Sequence, residues 1–183
     1  MHEETLIDAA LAGDRAAFGQ LVRTHQDRLF TTMVYVTGSS EDAKDVVQEA
    51  FLRAYTGLES FRRDSAFYTW LYRIAFRAAI SLHRKKKPMA SIERAHEMIG
   101  EDPVATEDTQ PDCQALSNER VEMVQTAITQ LEDEYRSVIV LREIDGRSYD
   151  EIADVLDIPI GTVRSRLHRG RLQLRDRLKK IMV

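Results

Sequence analysis

Cysteine is almost missing from this 183-residue chain: Cys113 stands alone, so neither an internal disulfide nor a cysteine-cluster metal site can hold the fold. Proline and glycine are scarce as well, at four and eight, which removes the punctuation a many-turned β protein needs and favours helices. No run of eighteen apolar residues occurs, and the opening MHEETLIDAA lacks the basic and then apolar regions of a signal peptide. A cytoplasmic protein without membrane insertion is expected, its core held by packing, with Cys113 an incidental thiol. Chemistry of the usual kinds lacks its residues too: there is no phosphate-cradling glycine loop, no HExxH and no nucleophile motif, while His25, His83 and His96 lie too scattered for a metal. No enzyme, cofactor or metal site is expected.

What is present is charge of uneven distribution. The whole chain sits at −4, yet Gly161–Val183 carries eight Arg and Lys against Asp176 alone. A segment of opposite sign to its own protein calls for a polyanionic partner. Just before it, Tyr149, Ile152, Ala153 and Leu156 fall on one face of a helix that Ser148 can cap, and Asp157-Ile158-Pro159 ends that helix while allowing another to start. In the second helix Val163, Leu167, Gly170, Leu174 and Leu178 pack downward, leaving Arg164, Ser165, His168 and Arg169 as one outward patch. This is a helix-turn-helix. Arginine forks match guanine edges in the major groove, whereas Arg147, Thr162 and the helix N-terminus suit phosphates.

Upstream, the spacing predicts a short helix over Thr5–Ala12, a break at Gly13-Asp14, and a longer helix with Phe18, Leu21, Val22, Leu29 and Met33 inward, ending at Gly38. A third, about Glu41–Tyr55, is capped by Ser39 or Ser40 and buries Ala43, Val46, Val47, Ala50, Phe51 and Ala54. Its outer face places Leu52 among Asp45, Gln48 and Glu49, a mixture suited to a partner protein. After a loop over Gly57–Ser65, Ser65 can cap a fourth helix reaching to about Lys86, with Phe67, Trp70, Leu71, Ile74, Ala75, Ala78 and Leu82 as its core face. Its other side interleaves Tyr72, Arg73, Phe76, Arg77, Ile80 and Arg84. Rings that stack on bases beside cations that follow phosphates are what single-stranded DNA requires.

Residues Pro88–Glu119 read as an acidic linker, with a short helix over Ile92–Ile99 conceivable inside it. Helices follow from about Leu116 to Leu131 and from Tyr135 through Ile144, the second stopping at Gly146. With the helix-turn-helix they make a domain of about seventy residues, marginal alone and helped by docking. The expectation is an all-α protein of two small helical domains, 1–87 and 116–183, joined by a flexible acidic linker over 88–115.

The run LEDEYRSVIVLREIDGRSYDEIADVLDIPIGTVRSRLHRGR, Leu131–Arg171, closely resembles the −35-binding region of bacterial sigma factors of the extracytoplasmic-function group. Asp45, Gln48, Glu49 and Phe51 fit the D-x-x-Q-E-x-F pattern of the family's helix that grips core RNA polymerase, and FRRDSAFYTWLYRIA is similar to its −10 region. The resemblance implies polymerase binding by Asp45, Gln48, Glu49 and Leu52. It implies contact with melted −10 DNA by Phe61, Arg62, Tyr72, Arg73, Phe76, Arg77 and Arg84, a base flipped out near Leu58–Ser65, and −35 contacts by Arg147, Thr162, Arg164, Ser165, His168 and Arg169. Control by an anti-sigma factor or another protein regulator is implied too, and the chain's end at Val183 argues against an appended C-terminal module. Arg77 and Ser81 replace the family's common Asn and Asp, leaving open which −10 bases are touched and how readily the duplex melts. The alternatives are a one-component helix-turn-helix regulator, which would be a homodimer and leaves Asp45–Phe51 unexplained, and an adaptor that binds polymerase without opening promoters.

Overall fold

A computed structural model describes residues 2–86 and 111–181, with side chains placed over 2–82 and 120–180. Its helices are α1 (Glu3–Leu11), α2 (Arg15–Thr37), α3 (Ser40–Thr56), α4 (Phe67–Lys86), α5 (Pro111–Thr129), α6 (Asp133–Ile139), α7 (Tyr149–Leu156) and α8 (Ile160–Ile181). Among the described residues there is no strand. The conceivable helix at Ile92–Ile99 lies outside them, as do the side chains of Arg84 and Cys113.

The first bundle is set by its caps. Asp14 Oδ1 accepts from the Ala16 and Ala17 amides and so starts α2, and Gly38 ends it in the left-handed region at φ 76°. Ser39 then accepts from the Asp42 amide to open α3, with Glu41 and Asp42 against the positive end of the helix dipole. Leu21, Leu29, Met33, Ala43, Ala50, Phe67 and Leu71 fill the centre, all essentially inaccessible. Each large apolar side chain so buried contributes about 1.5–3 kcal/mol. The Gly57–Ser65 connection, expected as a plain loop, contains a 3-10 turn over Leu58–Ser60. Helix α4 begins two residues beyond the expected Ser65 cap, and the Ala66 carbonyl takes its first amides, those of Thr69 and Trp70.

The second bundle differs from expectation at two ends. Helix α5 starts at Pro111 rather than near Leu116, running into the stretch assigned to the linker. Proline suits a first helical turn, where its missing N–H would find no partner anyway. Helix α6 does not continue regularly to Gly146: Val140–Ile144 is a widened π-helical turn, and the Asp145 amide reaches back to the Val140 carbonyl at 3.0 Å. At α7, Ser148 accepts from the Glu151 amide while Glu151 accepts from the Ser148 amide, a complete capping box. Asp157, at φ 54°, closes α7 in the left-handed region and turns the chain into α8.

The two bundles also pack on each other. Helix α7 lies along α4, Arg136 donates to the Val36 carbonyl at 3.0 Å, and Thr129 sits against Gly38, where a Cβ would be 2.9 Å from its methyl carbon.

Candidate functional site

Three surfaces carry the residues singled out above. On α3 the outward face forms as expected: Asp45, Gln48 and Glu49 are exposed, and Leu52, one turn beyond Gln48 and Glu49, is 57% accessible. Glu49 is braced by Arg53 one turn on, at 2.6 Å. Beside Leu52 runs an apolar groove lined by Phe18, Phe30, Val47 and Tyr55, so α2 contributes half of a surface that the α3 pattern alone had suggested.

The second surface is split. Arg62 and Arg77 are exposed, and Arg73 and Phe76 are half-buried. Phe61 and Tyr72, both implied as −10 contacts, are by contrast covered, at 9% and 1% accessibility, which corrects the outward position expected for Tyr72. Phe61 packs into its own bundle, edge-on to Phe67 and tilted against Trp70. Tyr72 is buried because α7 and the turn before it lie over this side of α4, together with Tyr68 and Thr69, at 4% and 3%. Sequence periodicity assigned none of this covering, since it locates a face and not its neighbour. Burial pushes the Tyr68 hydroxyl up to about 12, with Asp145 adding to the shift and Thr32, Arg28 and Arg147 opposing it. Burial likewise holds Tyr72 well above the ordinary tyrosine range.

Asp145 is the centre of that covering. Its side chain is wholly inaccessible and takes the Arg28 Nε at 2.7 Å, the Arg147 Nε at 2.7 Å and the Tyr68 hydroxyl at 3.2 Å. Both guanidiniums lie against the Tyr68 ring, 4.4 and 4.6 Å from its centroid. Arg147 also donates to Thr69 Oγ1 at 3.1 Å and Glu151 at 2.6 Å, leaving it 6% accessible and away from the position expected for a phosphate contact. Burial works to lower its pKa, but hydrogen bonds to Asp145 and Glu151 raise it overall.

The third surface is the N-terminal half of α8. Arg164, Ser165, His168 and Arg169 are all exposed, with Thr162 half-buried at the turn. Other arginines of this helix are engaged: Arg166 with Glu134 at 2.8 Å, Arg171 with Glu143 at 2.7 Å, Arg175 with Asp176 at 3.0 Å. Among the described residues, Arg164 and Arg169 have no such acid partner. In the N-terminal half of α8 the cations without an acid partner are thus those on the face a helix-turn-helix lays in the major groove, while, again among the described residues, Arg177, Lys179 and Lys180 lie free of acids further along the helix.

A helix-turn-helix domain docked on a bundle with a basic, aromatic helix defines a two-region promoter-recognition protein, and the comparisons are specific. Residues 21–88 match the Sigma-70 region 2 family and residues 121–174 the Sigma-70 region 4 family. The chain is 38% identical over 173 residues, 92% of each chain, to the ECF RNA polymerase sigma factor SigW of Bacillus subtilis. To the ECF RNA polymerase sigma-E factor of Escherichia coli K12 it is 38% identical over 184 residues, covering 98% of this chain and 96% of the relative. The structure is similar to that of CnrH solved in complex with the cytosolic domain of CnrY, with a TM-score of 0.71, 28% identity and 97% of both chains covered. The sigma factor RpoE from Bartonella quintana, co-crystallised with the anti-sigma factor NepR, shares the fold at a TM-score of 0.70 and 24% identity, over 88% of this chain and 96% of that one. The chain belongs to the ECF RNA polymerase sigma factor family. No helix among the described residues is long and apolar enough to cross a membrane.

Proposed function

We propose that this sigma factor binds core RNA polymerase through Asp45, Gln48, Glu49 and Leu52, with the adjoining groove on α2 as part of the same seat. The observation that carries this reading is Leu52, 57% accessible one turn from Glu49 and beside an apolar trough. An apolar anchor within a polar rim is how a protein partner is gripped. In the holoenzyme, Arg164, Ser165, His168 and Arg169 read the −35 element and Thr162 holds a phosphate that fixes register, whereas Arg147 would reach a phosphate only once released from Asp145, Thr69 and Glu151. Arg62, Arg73, Phe76, Arg77 and Arg84 serve the melted −10 strand, with Phe61 and Tyr72, both covered, supporting that surface from within. Residues 1–87 and 116–183 act as the two promoter-reading regions and 88–115 as the tether between them. The work is done in the cytoplasm, at the nucleoid, and involves no catalysis by this chain.

Regulation by an anti-sigma factor is part of the proposal, because the Bartonella sigma factor of like fold was solved with the anti-sigma factor NepR bound and CnrH was solved with the cytosolic domain of a second protein, CnrY. The test is transcription from a fragmented library of the source genome by purified core polymerase, with and without this protein. New transcripts whose starts share two spaced upstream elements are expected. Their absence, with no association with core, would overturn the reading and favour the one-component regulator.

A further inference from the structure

Residues matched to region 2 begin at 21, so α1 lies outside that match although it is folded onto the same core. Leu6, Ile7 and Ala10 are buried there, and Glu3 pairs with His25 at 2.8 Å from the first turn of the helix. On the solvent side Asp8 takes the guanidinium of Arg63, 55 residues away in the connection between α3 and α4. Hydrogen bonding to Asp8 and then its charge raise the Arg63 pKa; burial opposes them, and Glu4, one turn before Asp8, adds to the rise. Resting on the sigma-factor reading, we propose that Asp8 and Arg63 are positioning residues for the −10 element: α1 acts as a strut that fixes the shape of the loop expected to hold the flipped base.

The loop has bonded ends and an unbonded middle. At its start the Ser60 and Phe61 amides close the 3-10 turn onto the Gly57 and Leu58 carbonyls, at 2.9 and 3.0 Å, and Phe61 is buried against Phe67 and Trp70. At its end the Ala66 carbonyl starts α4. In between, none of the Arg62–Ser65 amides donates a hydrogen bond to a backbone carbonyl among the described residues, and Arg62, Arg63 and Asp64 are exposed. Arg63 nevertheless sits at φ 62°, in the left-handed region that a side chain enters only under strain. The Asp8 carboxylate is what holds it there.

An exposed ion pair contributes little to the stability of a whole fold. It serves binding in another way, since a loop already ordered in its bound shape loses less freedom when a base enters. A base leaving its stack forfeits stacking energy that the receiving pocket must offset, so the order of that pocket bears directly on promoter melting. Engagement with Asp8 also separates the Arg63 guanidinium from the role proposed for Arg62 beside it, which is exposed and assigned to the strand.

The test uses the full-length protein assembled with core polymerase and two probes: the labelled non-template strand of a −10 element recovered by the library transcription above, and a duplex carrying only the matching −35 element. Asp8→Asn is expected to weaken binding of the strand about threefold, within the range an exposed ion pair allows, and to leave −35 duplex binding and the urea midpoint unchanged. Asp8→Arg and Arg63→Asp should each weaken strand binding, and the two together, which restore the pair with its charges exchanged, should recover it. If the double variant binds as poorly as Arg63→Asp alone, Arg63 touches DNA directly and the strut is overturned. Arg63→Gly, which enters the left-handed region freely, should abolish the effect of Asp8→Asn, and the same threefold loss in that background would contradict the proposal. In the free protein, backbone order parameters of Arg63 and Asp64 from nuclear magnetic relaxation should fall in Asp8→Asn; equal values would likewise overturn it. Failure of the sigma-factor reading has a different signature: the unaltered protein supports no transcription and yields no such element, while the order parameters still report whether Asp8 holds the loop.

Discussion

Gly170 of α8 approaches α6 so closely that a Cβ built on it would lie 2.9 Å from Cγ1 of Ile139 and 3.4 Å from the Tyr135 Cβ. The site is buried, and Ile139 is itself fully inaccessible, so it has little room to yield. Alanine would gain about 1 kcal/mol of helix propensity over glycine but overpack the contact by about 1–3 kcal/mol. Gly170→Ala is expected to lower the urea midpoint of the full-length protein, a net loss near 1 kcal/mol. An unchanged midpoint would show that α6 can move aside.

Arg169 and Arg177 separate reading from holding. Arg169 is exposed on the proposed base-facing patch, and Arg177 lies two turns on, donating to Gln130 at 3.2 Å. Arg169→Ala should lose about 1–3 kcal/mol of preference for a cognate −35 duplex, the discrimination expected of one bidentate guanine contact. Arg177→Ala should instead weaken binding to cognate and scrambled duplexes alike. Equal losses on both DNAs for both variants would remove the distinction.

Ser148 starts the helix-turn-helix, and its replacement by alanine should cost about 1 kcal/mol of stability through the lost cap. Glu151, its reciprocal partner, makes the effect pH-dependent. Burial acts to raise its pKa, but the Ser148 amide and Arg147 outweigh that and hold it below the ordinary value of 4.5. The folded state thus binds its proton less readily than the unfolded chain. The associated stability is present above pH 4.5 and is lost as pH falls through the lowered folded value. Glu151→Gln should flatten that acid limb in urea titrations, and an unchanged limb would contradict the assignment.

At alkaline pH the sign reverses. Tyr68 keeps its proton to about 12 in the folded protein, against 10.0 ordinarily, so between those values the unfolded chain releases a proton that the native one retains. Stability should be complete below pH 10 and fall across the interval up to about 12. Tyr68→Phe, which keeps the ring against both guanidiniums, should make the decline shallower. Urea midpoints measured across that range provide the check.

Much of this architecture is legible in the chain because caps and apolar periods are local. Ser39, Gly38 and Ser148 act where they were expected, and the buried residues of α3 and α8 follow the predicted spacing. The exposed patch of Arg164, Ser165, His168 and Arg169 was legible for the same reason. Tyr72 was not, since an aromatic flanked by arginines reads equally as a stacking platform or as one half of a covered contact. Arg147 failed similarly, because its acid partners lie both beside it in sequence and in a turn whose shape no period encodes. Nothing in the spacing marks Asp145, whose role depends on Arg28 and Tyr68, far upstream in the chain.

The widened turn at Val140–Ile144 is also a phase shifter. Between Val140 and Asp145 the backbone bond spans five residues instead of four, so one residue more is wound into the turn than an α-helix would hold. Each residue of an α-helix advances the chain by about 100° around the axis. Loss of one residue here would leave the core's composition nearly intact yet swing Asp145 more than a quarter of a revolution away from Arg28. A single codon thus sets the angle at which one reader of the promoter faces the other.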